Sequence, residues 1–384
     1  MLVAAFNEVD MLDICSAFGS QTGDDQGGAC PQIVGAYHST VKTIHTGDGE
    51  QPRDMQYIKL NTNESPYPPA PSVVAAMTGE QVELLRLYSD PTAKGLKEKL
   101  AGLYGVKPEN VFVSNGSDEV LNFAFMAFGG RGAVFPDISY GFYQVYGDLY
   151  RIDYERIPLK EDFSIDHTQY CGVNKMVVIA NPNAPTGMSL GLGQIEQIVA
   201  SNPNSLVLID EAYVDFGGET CLPLIEKYDN LLVTRTFSKS RCLAGGRLGY
   251  AFGNAAIIAD LEKIKYSTNP YNVDRLTLLL GEATVDAEPY YREKCAEIQK
   301  TRSVTAKQLE DLGFTVLPSD ANFLFAKSDR ISGTDLYAGL KAKGILVRHF
   351  TNSRICDYNR ITIGTPEQME TFISKVKEVL YENL

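Results

Sequence analysis

The chain has no run of about 18 apolar residues, so no transmembrane helix is expected. It has no excess of positive charge either: 35 Lys and Arg stand against 48 Asp and Glu, a formal net charge of −13. A chain this acidic is a poor non-specific binder of nucleic acid or of an anionic membrane, because both need neutralising cations. A small cationic pocket for an anionic ligand stays open. The seven cysteines (Cys15, Cys30, Cys171, Cys221, Cys242, Cys295, Cys356) are scattered and never spaced C-x-x-C. That argues against a zinc site or disulfide framework and for a reducing cytosol. His38, His45, His167 and His349 share no short metal-ligand spacing, so no metal is expected. No G-x-G-x-x-G follows a strand-like run, which disfavours a dinucleotide-binding dehydrogenase. The start turns acidic at Glu8 and Asp10 and lacks the basic region of a signal peptide.

What is present is globular: 44% hydrophobic and 22% charged residues over 384 positions. Residues 1–55, with a Gly/Asp/Gln-rich stretch at Gly19–Gly28 and a polar one at Thr46–Asp54, read as a weakly structured extension or arm. From about residue 56 short apolar runs alternate with helical stretches. The runs are 111–114, 133–136, 175–180, 205–209, 231–234 and 248–252; the helical stretches include 117–128 and 141–149. This pattern predicts a buried, mainly parallel sheet with helices on both faces, whose ligands bind at the carboxyl ends of the strands. After Asn272 the pattern becomes helical, with a break at Pro289. Short strands near 314–316, 323–326, 345–347 and 361–363 then alternate with helices near 333–342 and 366–382, a second, smaller α/β domain.

Five segments carry chemistry. In Thr234-Arg-Thr-Phe-Ser-Lys-Ser-Arg-Cys-Leu-Ala-Gly-Gly-Arg-Leu-Gly249, Lys239 follows a buried strand. A lysine so placed can serve as a Schiff-base lysine, with Ser238, Arg247 and Thr236 on a phosphate; a surface loop with ordinary charges is the plainer reading. Asp210 ends an apolar run and needs a partner, since a lone buried charge is costly; a protonated pyridine nitrogen would serve, with Tyr213 beside it, but so would an N-cap with a packing Tyr. Gly116, Ser117 and Asp118 open a helix after a strand, either an anion site or simple capping. Ala180-Asn-Pro-Asn-Ala-Pro-Thr-Gly187 is a rigid turn. Tyr140, in Pro136-Asp-Ile-Ser-Tyr140, either covers a planar cofactor or simply packs.

Together these segments have the order and approximate spacing of the fold type I pyridoxal-phosphate enzymes. The chain resembles the histidinol-phosphate aminotransferase family, in the class II branch, over about residues 56–384. Ile58-Lys-Leu-Asn-Thr-Asn-Glu-Ser-Pro-Tyr67, Leu87-Tyr-Ser-Asp-Pro91 and Arg360-Ile-Thr-Ile-Gly-Thr365 also look like strings of that family. The resemblance implies a large domain over 56–288, built on a mostly parallel seven-stranded sheet flanked by helices, and a small α/β domain over 289–384. It implies pyridoxal 5'-phosphate bound covalently by Lys239, with Asp210 at the ring nitrogen, Tyr213 at O3′ and Tyr140 stacked on the ring. The phosphate would be held by the amides near Gly116, Ser117 and Asp118, with Thr236, Ser238 and Arg247. Tyr67 would reach the neighbouring subunit's phosphate, so the implied unit is a homodimer. Arg360 would grip the substrate's anionic end, with Arg348 and Asn322 nearby. For Arg348 alone, a solvated charge at a strand end is the plainer reading. There is one departure: the family usually reads Asn-Asn-Pro-Thr-Gly where this chain has Asn183-Ala184-Pro-Thr-Gly, so Asn183 is the remaining candidate for the O3′ contact.

The implied reaction interconverts histidinol phosphate and 2-oxoglutarate with imidazole-acetol phosphate and glutamate, in histidine biosynthesis and in the cytoplasm. Lys239 would act as general base and Asp210 would keep the ring nitrogen protonated. An aromatic or broad-specificity aminotransferase and a threonine-phosphate decarboxylase are enzyme alternatives. A catalytically silent cofactor-binding regulator is the alternative from another class, and the presence of Lys239, Asp210, Tyr213 and Arg247 argues against it.

Overall fold

The structure is a computed structural model that describes residues 50–52 and 55–382. The arm expected over 1–55 lies almost wholly outside the described residues. In chain order the elements are β1 (Ile58–Leu60), α1 (Pro71–Ala76), α2 (Gly79–Glu83), α3 (Lys94–Tyr104), β2 (Val111–Ser114), α4 (Gly116–Phe128), β3 (Ala133–Pro136), α5 (Phe142–Tyr150), β4 (Tyr154–Ile157), β5 (Met176–Ala180), α6 (Leu192–Ser201), β6 (Val207–Asp210), β7 (Leu231–Thr236) and β8 (Gly249–Gly253). There follow α7 (Ala255–Thr268), α8 (Arg275–Asp286), α9 (Glu288–Asp311), β9 (Phe314–Val316), β10 (Phe323–Ser328), α10 (Gly333–Ala342), β11 (Ile345–His349), β12 (Tyr358–Thr362) and α11 (Pro366–Glu382).

Seven strands form one sheet in the order β2-β8-β7-β6-β5-β3-β4, with β8 running against the rest. Strands β2, β3, β5, β6, β7 and β8 are buried at every position, as a sheet covered on both faces requires. Side chains alternate between faces along a strand. Val111, Val113, Val177, Ile179, Val207, Ile209, Leu231 and Val233 accordingly join one core. Phe112, Val178, Leu208, Leu232 and Ala251 join the core on the opposite face. No helix among the described residues is long and apolar enough to cross a membrane.

The second sheet has five strands in the order β1-β11-β12-β10-β9. Here one boundary differs from expectation. The resemblance places residues 56–288 in the large domain, yet Ile58–Leu60 pair in parallel with Ile345–Val347 of the smaller sheet. Leu60 is buried in that sheet's core beside Ile345, Val347 and Ile361. The physical reason is that a three-residue strand has too little surface to stand alone and joins the edge that offers it both hydrogen bonds and an apolar wall. Arg354, in the loop between β11 and β12, ties the two sheets: its Nη1 lies 2.9 Å from Asp137 Oδ2 and its Nη2 2.9 Å from the Leu159 carbonyl.

Candidate active site

Strands β2, β3, β5, β6 and β7 run the same way, so their carboxyl ends share one edge of the sheet, and the antiparallel β8 begins there. Register fixes the neighbours: Ala180 lies beside Asp210, Thr236 beside Gly249, and Gly249 beside Ser114. All five chemical segments therefore converge at the edge where open α/β sheets bind ligands.

Asp210 is only 6% exposed. Its Oδ2 accepts from the Tyr143 hydroxyl at 2.9 Å and its Oδ1 from the Ala212 amide at 3.2 Å. Burial pushes the carboxyl up to about 6, with the charges of Asp118 and Glu211 adding to the rise and the two hydrogen bonds opposing it. A carboxylate in that state is stabilised by any cation placed against it. Glu211 follows directly and is locked to Arg235 of β7 by bonds of 2.8 and 3.0 Å. Both side chains are buried, and the pair fixes the end of β6 against the strand that leads to Lys239.

Lys239 Nζ donates to the Thr62 carbonyl at 3.0 Å and stands 5.8 Å from the centre of the Tyr213 ring. Tyr213 packs edge-on to Phe323, and its hydroxyl accepts from Asn63 Nδ2 at 2.9 Å. The segment 61–63 thus touches both the lysine and the phenol.

At the start of α4, Gly116 has φ +74°, which favours glycine, and a Cβ there would stand 2.7 Å from Arg247 Nη2. A Cβ on Gly249 would fall 2.2 Å from the Gly116 carbonyl carbon and the Ser117 amide nitrogen. Glycine at both places lets β8 and Arg247 close on the helix start. Asp118 Oδ2 pairs with Arg247 Nη2 at 3.1 Å, and its Oδ1 accepts from the Tyr140 hydroxyl at 2.7 Å. Tyr140 stacks on Phe142 with ring centres 5.5 Å apart. Thr236 Oγ1 accepts from the Ser238 amide at 3.0 Å, and both residues are buried.

Asn183 does not offer the donor that an O3′ contact needs. Its two amide hydrogens go to the Ile138 carbonyl at 3.0 Å and Thr186 Oγ1 at 3.1 Å, and its Oδ1 accepts from Ser139 at 2.8 Å. The side chain is spent on holding the 180–187 turn against the end of β3, and Ala184 has no polar group to add. Asn183→Ala is expected to destabilise the protein by about 2–4 kcal/mol, because buried partners lose their bonds; urea unfolding measures this, and a loss below about 1 kcal/mol would remove the clamp.

Arg348 and Arg360 face each other across β11 and β12. Arg360 Nη2 donates to the Asn61 carbonyl at 2.9 Å, while its buried Nε has no hydrogen-bond partner among the described residues. Burial, and the positive charge of Arg348 after it, lower the Arg360 pKa, against the pull of Tyr213 and Tyr140. Asn322 is fully buried; its Nδ2 donates to the Asn63 carbonyl at 3.0 Å and its Oδ1 lacks a partner among the described residues. Two guanidinium groups held close, with an unsatisfied N–H, make a place for an anion. Tyr67 packs, like Tyr213, against the core of the smaller sheet, with Lys294 Nζ 4.8 Å from its ring centre; burial and then Glu297 raise its pKa.

Sequence reasoning assigned nothing to Tyr143, Asn63, Glu211 or Arg235. Tyr143 had one signal: it lies one helical turn beyond Tyr140. Asn63 lies within Ile58–Tyr67, where nothing local marks it.

A sheet edge that gathers a strand-end lysine, a buried aspartate and a glycine-lined helix start is the architecture of a cofactor-binding transferase. The family model for aminotransferase class I and II matches residues 55–376. Histidinol-phosphate aminotransferase of Brachyspira hyodysenteriae is 48% identical over 335 residues, covering 86% of this chain and 95% of its own length. The enzyme of that name from Lactococcus lactis subsp. cremoris is 49% identical over 334 residues, covering 86% and 94%. A crystal structure of histidinol-phosphate aminotransferase from Sinorhizobium meliloti, in complex with pyridoxal-5'-phosphate, shares the fold with a TM-score of 0.79 at 23% identity, covering 94% of this chain and 96% of that one. The chain belongs to the class I and II aminotransferases and, within them, to the histidinol-phosphate aminotransferase family.

Proposed function

We propose that the chain interconverts histidinol phosphate and 2-oxoglutarate with imidazole-acetol phosphate and glutamate, in histidine biosynthesis, with pyridoxal 5'-phosphate as cofactor. The observation that carries this is the meeting of Lys239, Tyr213 and Asp210 at one sheet edge. Arg348 and Arg360 face each other in the neighbouring sheet, whose loop Arg354 ties to that edge. The residues present fit the cofactor. Glycine at 116 and 249 brings Arg247 and β8 against the start of α4, where a phosphate would share the Arg247 guanidinium with Asp118, and Ser117, Thr236 and Ser238 would add polar groups beside it. The raised Asp210 carboxyl fits a cationic ring nitrogen.

Bound pyridoxal phosphate supplies the electron sink for the substrate's amine-bearing carbon. Lys239 Nζ anchors the cofactor and, once displaced, is the base that takes the proton from that carbon. Asp210, held by Tyr143, keeps a proton on the ring nitrogen by charge. Tyr213 donates to the ring's O3′, and Tyr140 covers the ring. Arg360 and Arg348, with Asn322, orient the phosphate of one substrate and the carboxylate of the other. The active unit is a homodimer in the cytoplasm, with Tyr67 of each subunit reaching the other's phosphate site; solution mass tests the assembly.

Steady-state rates with histidinol phosphate, phenylalanine and threonine phosphate test the substrate, and a preference for either of the last two sinks it. Arg360→Ala is expected to weaken both histidinol phosphate and glutamate at least about tenfold in kcat/KM, since a charge-assisted bond is worth about 1.5–3 kcal/mol. Arg348→Ala is expected to hurt the phosphorylated substrate more; equal, small effects on both would remove its role at the phosphate.

A further inference from the structure

We infer that Asn63 is a positioning residue that turns the Tyr213 hydroxyl into a donor aimed at the cofactor's O3′; this rests on the role proposed above for Tyr213. The direction of each bond is fixed by a chain of partners. The Asn63 backbone N–H donates to Thr362 Oγ1 at 3.0 Å, so that hydroxyl's own proton is left to go to Asn63 Oδ1, 2.9 Å away. With Oδ1 set as the acceptor, the amide nitrogen must face Tyr213, and it does, at 2.9 Å. The Tyr213 oxygen therefore receives a hydrogen bond from Asn63, and its single proton remains available to give.

The backbone supports the same end. Asn63 is 1% exposed and has φ +57°, a left-handed conformation that asparagine adopts more readily than most residues. Its carbonyl accepts from Asn322 Nδ2 at 3.0 Å, so every polar group of the residue is used. The preceding carbonyl, that of Thr62, accepts from Lys239. The direction of the Tyr213 proton matters more in this chain because Ala184 has no donor and both amide hydrogens of Asn183 are spent in their own turn.

The test is a double-mutant cycle on the holoenzyme, read as the pH midpoint of the visible absorbance of bound pyridoxal phosphate. A donor to O3′ lowers that midpoint, so losing it raises the value. Asn63→Gly keeps the left-handed backbone and removes the amide. It and Tyr213→Phe are each expected to raise the midpoint by roughly half a pH unit to one unit, the size of one neutral hydrogen bond. The double variant is expected to match Tyr213→Phe alone. Thr362→Val, which leaves the amide in place but unoriented, is expected to give a smaller rise in the same direction, and it stands in should Asn63→Gly not fold. Additive shifts in the double variant, or an unmoved midpoint in Asn63→Gly and Thr362→Val while Tyr213→Phe shifts, would overturn the inference alone. No shift in Tyr213→Phe would overturn the role of Tyr213 as well.

Discussion

Lys239→Ala is expected to abolish turnover, by at least about a thousandfold, while the protein stays folded. In the proposed reaction the lysine is the general base, a function worth about 10²–10⁴-fold by itself, and also the covalent anchor, whose loss compounds the first. Its one described side-chain hydrogen bond is to the Thr62 carbonyl, so removing it costs little stability. Circular dichroism should be native-like, and the visible absorbance of lysine-held cofactor should be absent after dialysis. Substantial transamination by the purified variant would end the assignment.

Asp210→Asn is expected to lose about a hundredfold or more in kcat, because an amide cannot hold a proton on the ring nitrogen by charge. The same change should stabilise the cofactor-free protein above about pH 6. In the folded chain burial raises the carboxyl from 3.8 to about 6. Between those values the native state holds a proton that the unfolded chain has released. Stability therefore falls as pH rises through that window, by about 3 kcal/mol in the limit of full burial. Asparagine has no such proton to lose. Thermal unfolding of both cofactor-free proteins from pH 4 to pH 8 checks the sign: the wild type should lose stability across the range relative to the variant. Near-native kcat, or parallel stability curves, would remove Asp210 from its place. Holoenzyme should show the opposite ordering, since the ring cation then offsets the buried charge.

The central sheet was open to reading because its strands are apolar throughout. Val111–Ser114 and Ala133–Pro136 were expected over the same residues, and β5, β6, β7 and β8 to within two residues at each end. Strand β4 was not, because Glu155 and Arg156 are exposed and only Ile157 is buried, which leaves no apolar run. Strand β1 was missed for the same reason, and its membership in the smaller sheet depends on residues far along the chain. The site divides in the same way. Lys239, Asp210 and Arg247 stand at strand ends beside local turn signals. Asn63 meets Tyr213 across 150 positions and Thr362 across 299, and nothing local marks either meeting. Asn183 was read as a cofactor ligand because its neighbours in sequence suggested it. Of the three partners that occupy its amide, Thr186 lies on the same turn, and Ile138 and Ser139 come from the end of β3, more than 40 positions away, where only the folded chain brings them.

The place of β1 has a consequence for the growing chain. Ile58–Leu60 leave the ribosome early, yet their hydrogen-bonding partners, Ile345–Val347, are made close to the end. Asn63 must wait for Thr362, 299 positions later, which at about 5–20 residues per second is roughly 15 s to a minute. The seven-stranded sheet, complete by Gly253, can form in that interval. The wall that carries Asn61, Thr62 and Asn63 cannot. A nascent chain can thus own its lysine and its aspartate well before the segment 61–63 is held in place beside them.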